Sequence, residues 1–243
     1  MRVVITGSEG SVGKALTPVL QGRGDEVHGL DIVTGLDILD ALALKSAMQL
    51  ARPDVIFHCA GAKHAPEGEV EPWDATRVNV EGTRNVLQAA PDGCRVVLTS
   101  TCKACNPETV YGATKLIAER LTLNAGQSVA RFYNVREASG NVFEIWAGMQ
   151  PPLPVTSCYR YFITMERAVN LLLRVAALPP GRYTLDPGEP VCMIDEAAAL
   201  VGRDNVTIIP PRRGDRLREP RVGGGESLVP LGGGAERIYS KHD

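Results

Sequence analysis

The 243 residues contain no uninterrupted apolar run approaching the roughly 18 that a membrane-spanning helix needs, which removes the bilayer as a partner. No leader pattern precedes the first apolar segment, because Met1-Arg-Val-Val-Ile already reads as a strand, and a soluble cytoplasmic protein is the expectation. Charge of one sign is also missing. A net charge of -2 gives no basic surface for nucleic acid or for an anionic membrane. The six cysteines (Cys59, Cys94, Cys102, Cys105, Cys158, Cys192) lack the regular spacing of a secreted disulfide framework and read as reduced thiols. Cys102-x-x-Cys105, with His64 upstream, has no second CxxC and no HxxxH to complete a zinc site, so no metal is expected.

What is present is an alternation. Short apolar runs at Val3 to Ile5, Glu26 to Leu30, Val55 to Cys59, Arg95 to Thr99 and Val129 to Tyr133 are separated by helical stretches at 12 to 22, 41 to 51, 73 to 90 and 107 to 125. Strand and helix at this cadence predict a parallel sheet with helices on both faces, which binds ligands at the carboxyl ends of its strands. Residues 1–150 read as this sheet domain. The Pro-rich stretch from Gln150 to Pro154 marks a crossing into a smaller substrate-covering region, 151–243, with helices over Met165 to Ala177 and near Ile194 to Val201. Six glycines between Gly223 and Gly234 predict a loose, loop-like tail.

The first strand runs into Thr6-Gly7-Ser-Glu-Gly10-Ser11-Val12-Gly13 and then a helix carrying Leu16, Val19 and Leu20 on one face. Glycines there permit a tight turn and close approach of backbone N–H groups to a pyrophosphate on the positive end of the helix. The second strand ends in Asp31, about 20 residues on, where a carboxylate takes ribose hydroxyls and repels a 2′-phosphate; NAD is therefore expected over NADP. A solvated strand-end carboxylate is the simpler reading of Asp31. Asp37-Ile38 follows, its carboxylate placed to accept from an adenine amino group, and the small residues Ala60, Gly61 and Ala62 at a later strand end would let a cofactor lie against the backbone. The expected class is thus α/β, a Rossmann-type doubly wound parallel sheet.

Tyr111 and Lys115 are four apart on the predicted helix at 107 to 125 and share one face. Lowering a phenol from near ~10 to about 7 takes roughly 4 kcal/mol from a nearby cation, and Lys115 is the candidate. Such a pair also arises by chance on an exposed helix. Its position after a glycine loop, Asp31 and a strand-end Thr101 is what gives it weight.

With the glycine motif, Asp37-Ile38, Ala60-Gly61-Ala62, Asn79 and Tyr111-x-x-x-Lys115 in this order, the chain resembles an extended short-chain dehydrogenase/reductase of the NAD-dependent epimerase/dehydratase group. Further stretches sharpen the resemblance: Phe57-His-Cys-Ala-Gly-Ala-Lys63-His64-Ala-Pro66, Ser100-Thr-Cys-Lys-Ala104, Asn134-Val135 with Ser139-Gly140, Tyr161-Phe-Ile-Thr164 and Arg212-Arg-Gly-Asp-Arg-Leu-Arg-Glu219. These resemble the UDP-N-acetylglucosamine 4,6-dehydratases of polysaccharide biosynthesis.

The resemblance implies a transient oxidation of a UDP-sugar. Tyr111 as phenolate would take a proton from the sugar hydroxyl as hydride leaves C4, with Thr101 bonding the same oxygen and Lys115 holding the ribose hydroxyls. In the dehydratases an Asp-Lys pair follows: the Lys removes the C5 proton and the Asp protonates the departing C6 oxygen. Here Lys103 matches and Cys102 does not. A thiol near ~8.5 is mostly protonated at neutral pH and still a donor, but a weak one. Slower dehydration, elimination halted at an exocyclic alkene, and oxidation with epimerisation alone all stay open, as does a merely buried Cys102.

The same resemblance puts substrate contacts at Lys63 and His64, with an exposed loop pair as the alternative reading, while the amide of Asn134 and the planar cationic forks of Arg160 and Arg212 are of the kind that bind a sugar-nucleotide diphosphate. Glu219 matches a family position without an assigned role. The helix from Trp73 to Ala90 reads as core and dimer surface, Asn79 as a structural amide, and a homodimer is expected by analogy. Rival readings are a C4 or C5 epimerase, a 4-keto-sugar reductase and a silent dinucleotide-binding protein.

Overall fold

The computed structural model describes residues 1–212 and 214–240. The first half alternates as the periodicity predicts: β1 (Arg2–Thr6), α1 (Ser11–Gly22), β2 (Glu26–Leu30), α2 (Ala41–Ala51), β3 (Val55–His58), α3 (Ala65–Val70), α4 (Pro72–Thr76), α5 (Gly82–Ala89), β4 (Arg95–Thr101), α6 (Val110–Asn124) and β5 (Ser128–Phe132). Three more short elements follow, β6 (Asn134–Val135), α7 (Val142–Ala147) and β7 (Leu153–Thr156), then β8 (Tyr159–Arg160), β9 (Phe162–Ile163) and α8 (Met165–Ala177). The chain continues through β10 (Arg182–Leu185), β11 (Val191–Cys192), α9 (Met193–Val201), β12 (Val206–Ile209), β13 (Glu226–Pro230) and β14 (Ala235–Ser240).

The main sheet has eight strands in the order β13-β14-β10-β5-β4-β3-β1-β2. From β2 to β10 neighbours pair in parallel, and β14 and β13 close the far edge antiparallel. Alternation along β1 shows why both faces must be covered. Val3 and Ile5 point into a core with Leu16 and Leu20 of α1 and Leu172 and Val175 of α8, while Val4 between them packs with Leu44 and Met48 of α2 and Val86 of α5. Leu98, Val129 and Ala118 bury the inner face of α6. Thr6, His58, Thr101 and Phe132 end adjacent strands, so the loops that follow them converge at one edge of the sheet.

Two expectations differ from the structure. The division at residue 150 does not hold along the chain, because α8 and β10 return to the main sheet and only a smaller cluster, with Trp146, Leu153, Val155, Met193 and Ala197 at its centre, forms a separate core. The tail is not a loose loop: Glu226–Pro230 pairs with Ala235–Ser240 and extends the sheet. Its glycines form the connections, with Gly225, Gly232, Gly233 and Gly234 at positive φ, while the strand between them carries the ladder. Helix 73 to 90 is continuous in direction but changes winding at Arg77–Glu81, a π segment containing Asn79.

Candidate functional site

The glycine loop is shaped by close approach. Gly7 sits at φ 72°, where a Cβ would lie 2.5 Å from the Ala60 backbone nitrogen, and a Cβ on Gly13 would press into the Gly7 carbonyl. Gly10 is the N-cap of α1, so Ser11, Val12 and Gly13 present the first turn's N–H groups to the space above. At the end of β2, Asp31 accepts from Glu9 N at 2.9 Å through one carboxylate oxygen and from Val33 N at 3.0 Å through the other. The carboxylate is thereby aimed across the glycine loop. Asp37 accepts from Leu39 N at 2.9 Å, and Ile38 is buried, its carbonyl taking the Asn85 amide. Ala60 backs Gly7, Gly61 faces Asn79 Oδ1, and the Ala62 carbonyl accepts from Asn79 Nδ2 at 3.1 Å. Asn79 also donates to Thr114 of α6 at 3.0 Å, so this buried amide pins the strand-end loop to the helix that carries Tyr111.

α6 is placed by three local devices. Thr109 caps it by accepting from Gly112 N, Glu69 of α3 accepts from Val110 N at 2.7 Å, and Gly112 lets the helix lie against the turn after β4. A Cβ at Gly112 would run into the Lys103 carbonyl, so the glycine beside Tyr111 sets how near the tyrosine comes to that turn. Thr101 ends β4 and caps the Cys102–Ala104 turn, accepting from Lys103 N at 3.3 Å. It therefore makes the local turn contact, and its hydroxyl is also among the groups that act to lower the Tyr111 phenol.

The electrostatics differ from the arrangement expected of the Tyr-Lys pair. Burial holds the Tyr111 phenol above its ordinary value, and the groups that oppose this are the Lys103 ammonium and the Thr101 hydroxyl. Lys115 is buried deeply enough to be pulled down to about 8, with Glu119 and Cys59 acting the other way. The cation working on Tyr111 in this geometry is Lys103.

Lys103 is itself clamped. Its Nζ donates to Glu219 Oε1 at 2.9 Å and to Asn134 Oδ1 at 3.0 Å. Glu219 is wholly enclosed, with Asn134 Nδ2 at 2.7 Å, Tyr161 N at 3.4 Å and Arg160 Nε at 3.6 Å around it. Burial works against charge on both partners, yet their mutual attraction wins, so Lys103 lies above and Glu219 below its ordinary value. Cys102 is 1% exposed, and burial together with Glu219 pushes its thiol up to about 11. It is a protonated thiol packed into the main core.

The remaining expected residues fall into two groups. Lys63 donates to the Ser139 carbonyl at 2.8 Å, and Ser139 N in turn donates to Ser11 Oγ at 2.9 Å, which brings the 136–141 loop against the glycine loop. His64 is the N-cap of α3 and stands next to Gly140. Asn134 and Arg160 join Lys103 around Glu219; both amide hydrogens of Asn134 are engaged, by Glu219 and by the Tyr161 carbonyl, and Arg160 also donates to the Arg216 carbonyl. Arg212 stands apart, exposed, bonded to Asp215 through its backbone and its guanidinium. Among the described residues no group of three His, Cys, Asp or Glu is disposed to hold a metal ion.

Two features were not assigned from sequence. Glu219 had only its place in a motif, 116 residues after Lys103, and no local signal of a contact. The second is a buried charge cluster below the site. Arg131 forks onto Glu119 at 2.6 and 3.0 Å and onto Glu226 at 2.7 and 3.1 Å, Arg182 joins Glu119 at 2.9 Å, and Cys105 Sγ lies 2.9 Å from Arg131. Nothing in a Gly-rich tail announces that Glu226 enters this core.

Comparison with known proteins follows the same lines. The profile of the family described as polysaccharide biosynthesis protein matches residues 24–229, leaving out the glycine loop. The probable polysaccharide biosynthesis protein EpsC of Bacillus subtilis is 34% identical over 82% of this chain, which spans 40% of that relative's length. The UDP-N-acetylglucosamine 4,6-dehydratase (inverting) of Campylobacter jejuni is 28% identical over 93% of this chain and 78% of its own. Among solved structures, Pen from Bacillus thuringiensis superposes with a TM-score of 0.85 over 99% of this chain and 88% of its own at 24% identity. The UDP-glucose 4-epimerase of Thermus thermophilus, described in complex with NAD, does so with a TM-score of 0.78 over 92% and 90%, also at 24%. The profile match over most of the sheet and its site loops, with EpsC above 30% identity, shows that the chain belongs to the polysaccharide biosynthesis protein family.

Proposed function

We propose that this chain is a nucleotide-sugar 4,6-dehydratase, or a close relative, that acts on a UDP-N-acetylhexosamine through transient oxidation at C4 with NAD. The observation that carries the reading is the packing of Gly112 against the Lys103 carbonyl, which sets Tyr111 beside the turn of Thr101 and Lys103 at the end of β4, next to the glycine cradle. The Campylobacter jejuni dehydratase, alignable over 93% of the chain, supports the substrate class.

The cradle fits a dinucleotide: at Gly7 and Gly13 any side chain would fill the space through which backbone approaches a phosphate. Gly7, Gly10, Ser11, Val12 and Gly13 would hold the pyrophosphate, Asp31 the adenosine ribose, Asp37 and Ile38 the adenine, and Ala60, Gly61, Ala62 and Lys115 the nicotinamide half. NAD, when bound, supplies a hydride acceptor for C4 and returns the hydride to the sugar. Asp31 argues for NAD over NADP, and the Thermus thermophilus epimerase of like fold is described in complex with NAD.

Tyr111 would remove the C4 hydroxyl proton, with Thr101 holding the oxygen and the Lys103 charge offsetting the burial that disfavours a phenolate; the C5 proton lost in dehydration would go to Lys103, which has to give up its resting proton first. Lys115, at about 8, sits near the balance between its two forms, so a ribose hydroxyl contact would favour its charged one. Lys63 and His64 are proposed sugar contacts, and Asn134, Arg160 and Arg212 proposed diphosphate contacts. Of these, Arg212 is exposed and Asn134 would first have to release one of its present partners.

A second reading, a C4 epimerase on the same substrate, is favoured by a single observation: Cys102 is a buried thiol where the dehydratases carry an Asp, and Lys103 is held protonated. Incubating the protein with UDP-N-acetylglucosamine without added cofactor, then weighing the product, separates the two. Loss of one water supports dehydration, an isomer of unchanged mass supports epimerisation, and UDP-N-acetylglucosamine left unchanged while a UDP-4-keto sugar is reduced with added NADH sinks both in favour of a reductase. No helix of the described residues is long and apolar enough to cross a membrane. A cytoplasmic homodimer through the 73 to 90 and 107 to 125 helices completes the proposal; Trp73 and Ile117 are exposed there, and sedimentation tests the dimer.

A further inference from the structure

We propose that Glu219 is a positioning residue that holds Lys103 as an ammonium beside Tyr111, so that Lys103 stands in the resting site as the cation of the oxidation step and not as a ready base. The catalytic meaning rests on the nucleotide-sugar reading; the test of the pairing does not.

Glu219 has no exposed side-chain surface, and a buried carboxylate survives only with donors around it. It has four: Lys103 Nζ, Asn134 Nδ2, Tyr161 N and Arg160 Nε. Moving a proton from Lys103 to Glu219 would leave three of those donors facing a neutral acid, so the carboxylate keeps its charge and the ammonium keeps its proton. Asn134 closes the triangle, because its Oδ1 accepts from Lys103 while its Nδ2 donates to Glu219. The amide can do this in only one orientation, and that orientation requires a donor on the lysine.

The charged and titratable groups around the pair agree on direction. Lys103 faces Glu219, Cys102 and Tyr111, all of which favour its charged form. Glu219 faces Lys103 and Arg160, which favour its own. Tyr111 faces Lys103, which favours its phenolate, and Cys102, which opposes it. Cys102 faces Glu219, Lys103 and Arg131. Glu219 thus acts on Tyr111 only through the lysine. Glu219 directly follows Arg218, which bridges to Tyr159, so the placement of the 214–218 stretch decides whether Lys103 is clamped.

The test observes the lysine itself. In the full chain labelled with 13C-lysine, the Lys103 Cε resonance is assigned by its loss in Lys103→Met and followed by NMR against pH, without substrate. The expected result is that Lys103 shows no titration up to about pH 10 in the wild type and in Glu219→Asp, and titrates lower by about two units or more in Glu219→Gln. A Lys103 that still titrates above about pH 10 in a folded Glu219→Gln protein overturns the proposal. Should Glu219→Gln fail to fold, the double variant Lys103→Met/Glu219→Gln decides by thermal melting. Recovery relative to Glu219→Gln supports a coupled pair, and no recovery overturns it. A wild type that clamps Lys103 but leaves UDP-N-acetylglucosamine unchanged would count against the proposed function and not against this pairing.

Discussion

Arg131 and Glu226 meet 95 residues apart in sequence, guanidinium to carboxylate at 2.7 and 3.1 Å, with the arginine side chain 1% exposed. The C-terminal hairpin is therefore keyed into the same core that lies under the Thr101 to Cys105 turn. Replacing Glu226 by Ala takes one of two carboxylates from a buried guanidinium, and breaking such a pair costs about 3–5 kcal/mol. Urea denaturation should show a loss of that order, and a loss under about 1 kcal/mol would mean the hairpin is only draped on the edge strand.

The glycine cradle gives a prediction on binding. Gly13→Ala places a Cβ against the Gly7 carbonyl and Ser8 backbone, so the loop must open to accept it. NAD affinity measured by calorimetry should fall by tenfold or more, and the melting temperature should fall as well, because the Cβ meets backbone atoms that cannot swing aside. Equal affinity in the variant would mean the loop is not the phosphate cradle.

His58 supplies a pH signature of folding. It is fully buried, hydrogen-bonded to Thr6 at 2.7 Å and Thr83 at 3.0 Å, and burial pulls it from 6.5 to about 3. The folded value is below the unfolded one, so the unfolded chain binds the extra proton first. Stability is complete above pH 6.5 and is lost as pH falls toward 3. The buried carboxylates Glu119, Glu219 and Glu226 are all lowered from 4.5, so their losses come below that pH. Between pH 6.5 and 4.5 the His58 contribution is roughly 2–3 kcal/mol, at about 1.36 kcal/mol per unit. Denaturation curves across that window should slope for the wild type and be flatter for His58→Asn; equal slopes would contradict the assignment.

The strand and helix cadence was legible because buried parallel strands and one-faced helices leave a pattern in single segments, and Met165–Ala177 is a helix with the bounds its periodicity predicts. Gly7, Asp31, Thr101 and Tyr111 could be read because each sits at a strand end or a helix start that the pattern itself marks. Glu219, Glu226 and the clamp on Lys103 could not. Those contacts span 95 to 116 residues, and a glutamate in a polar or glycine-rich stretch looks the same in sequence whether it meets solvent or a buried cation. The pairing expected between Lys115 and the Tyr111 charge was read from a shared helix face, and helix spacing does not show which cation lies near enough to act on the phenol.

Cys102 is where the family pattern and this chain part. Its thiol is buried in the main core and pushed up to about 11, so it is a weak acid, and it serves the departing C6 oxygen only if bound substrate reaches it. On that account Cys102→Ala slows product formation by about a hundredfold or more, within the usual span for an acid catalyst, and leaves NAD affinity alone. Undiminished turnover in Cys102→Ala would remove the thiol from the chemistry.

The central claim is that hydrogen leaves C4 of the sugar and comes back, with Tyr111 as the base that starts the cycle. Because the cofactor is not consumed, electron balance sends the hydrogen back to the sugar, and after loss of the C6 oxygen the carbon that receives it is C6. UDP-N-acetylglucosamine deuterated at C4 tests this most directly. The account predicts a dehydrated product with deuterium relocated to C6, formed at least about a hundredfold more slowly by Tyr111→Phe. Product that keeps its deuterium at C4 in the original configuration, or a Tyr111→Phe variant as fast as the wild type, would contradict it.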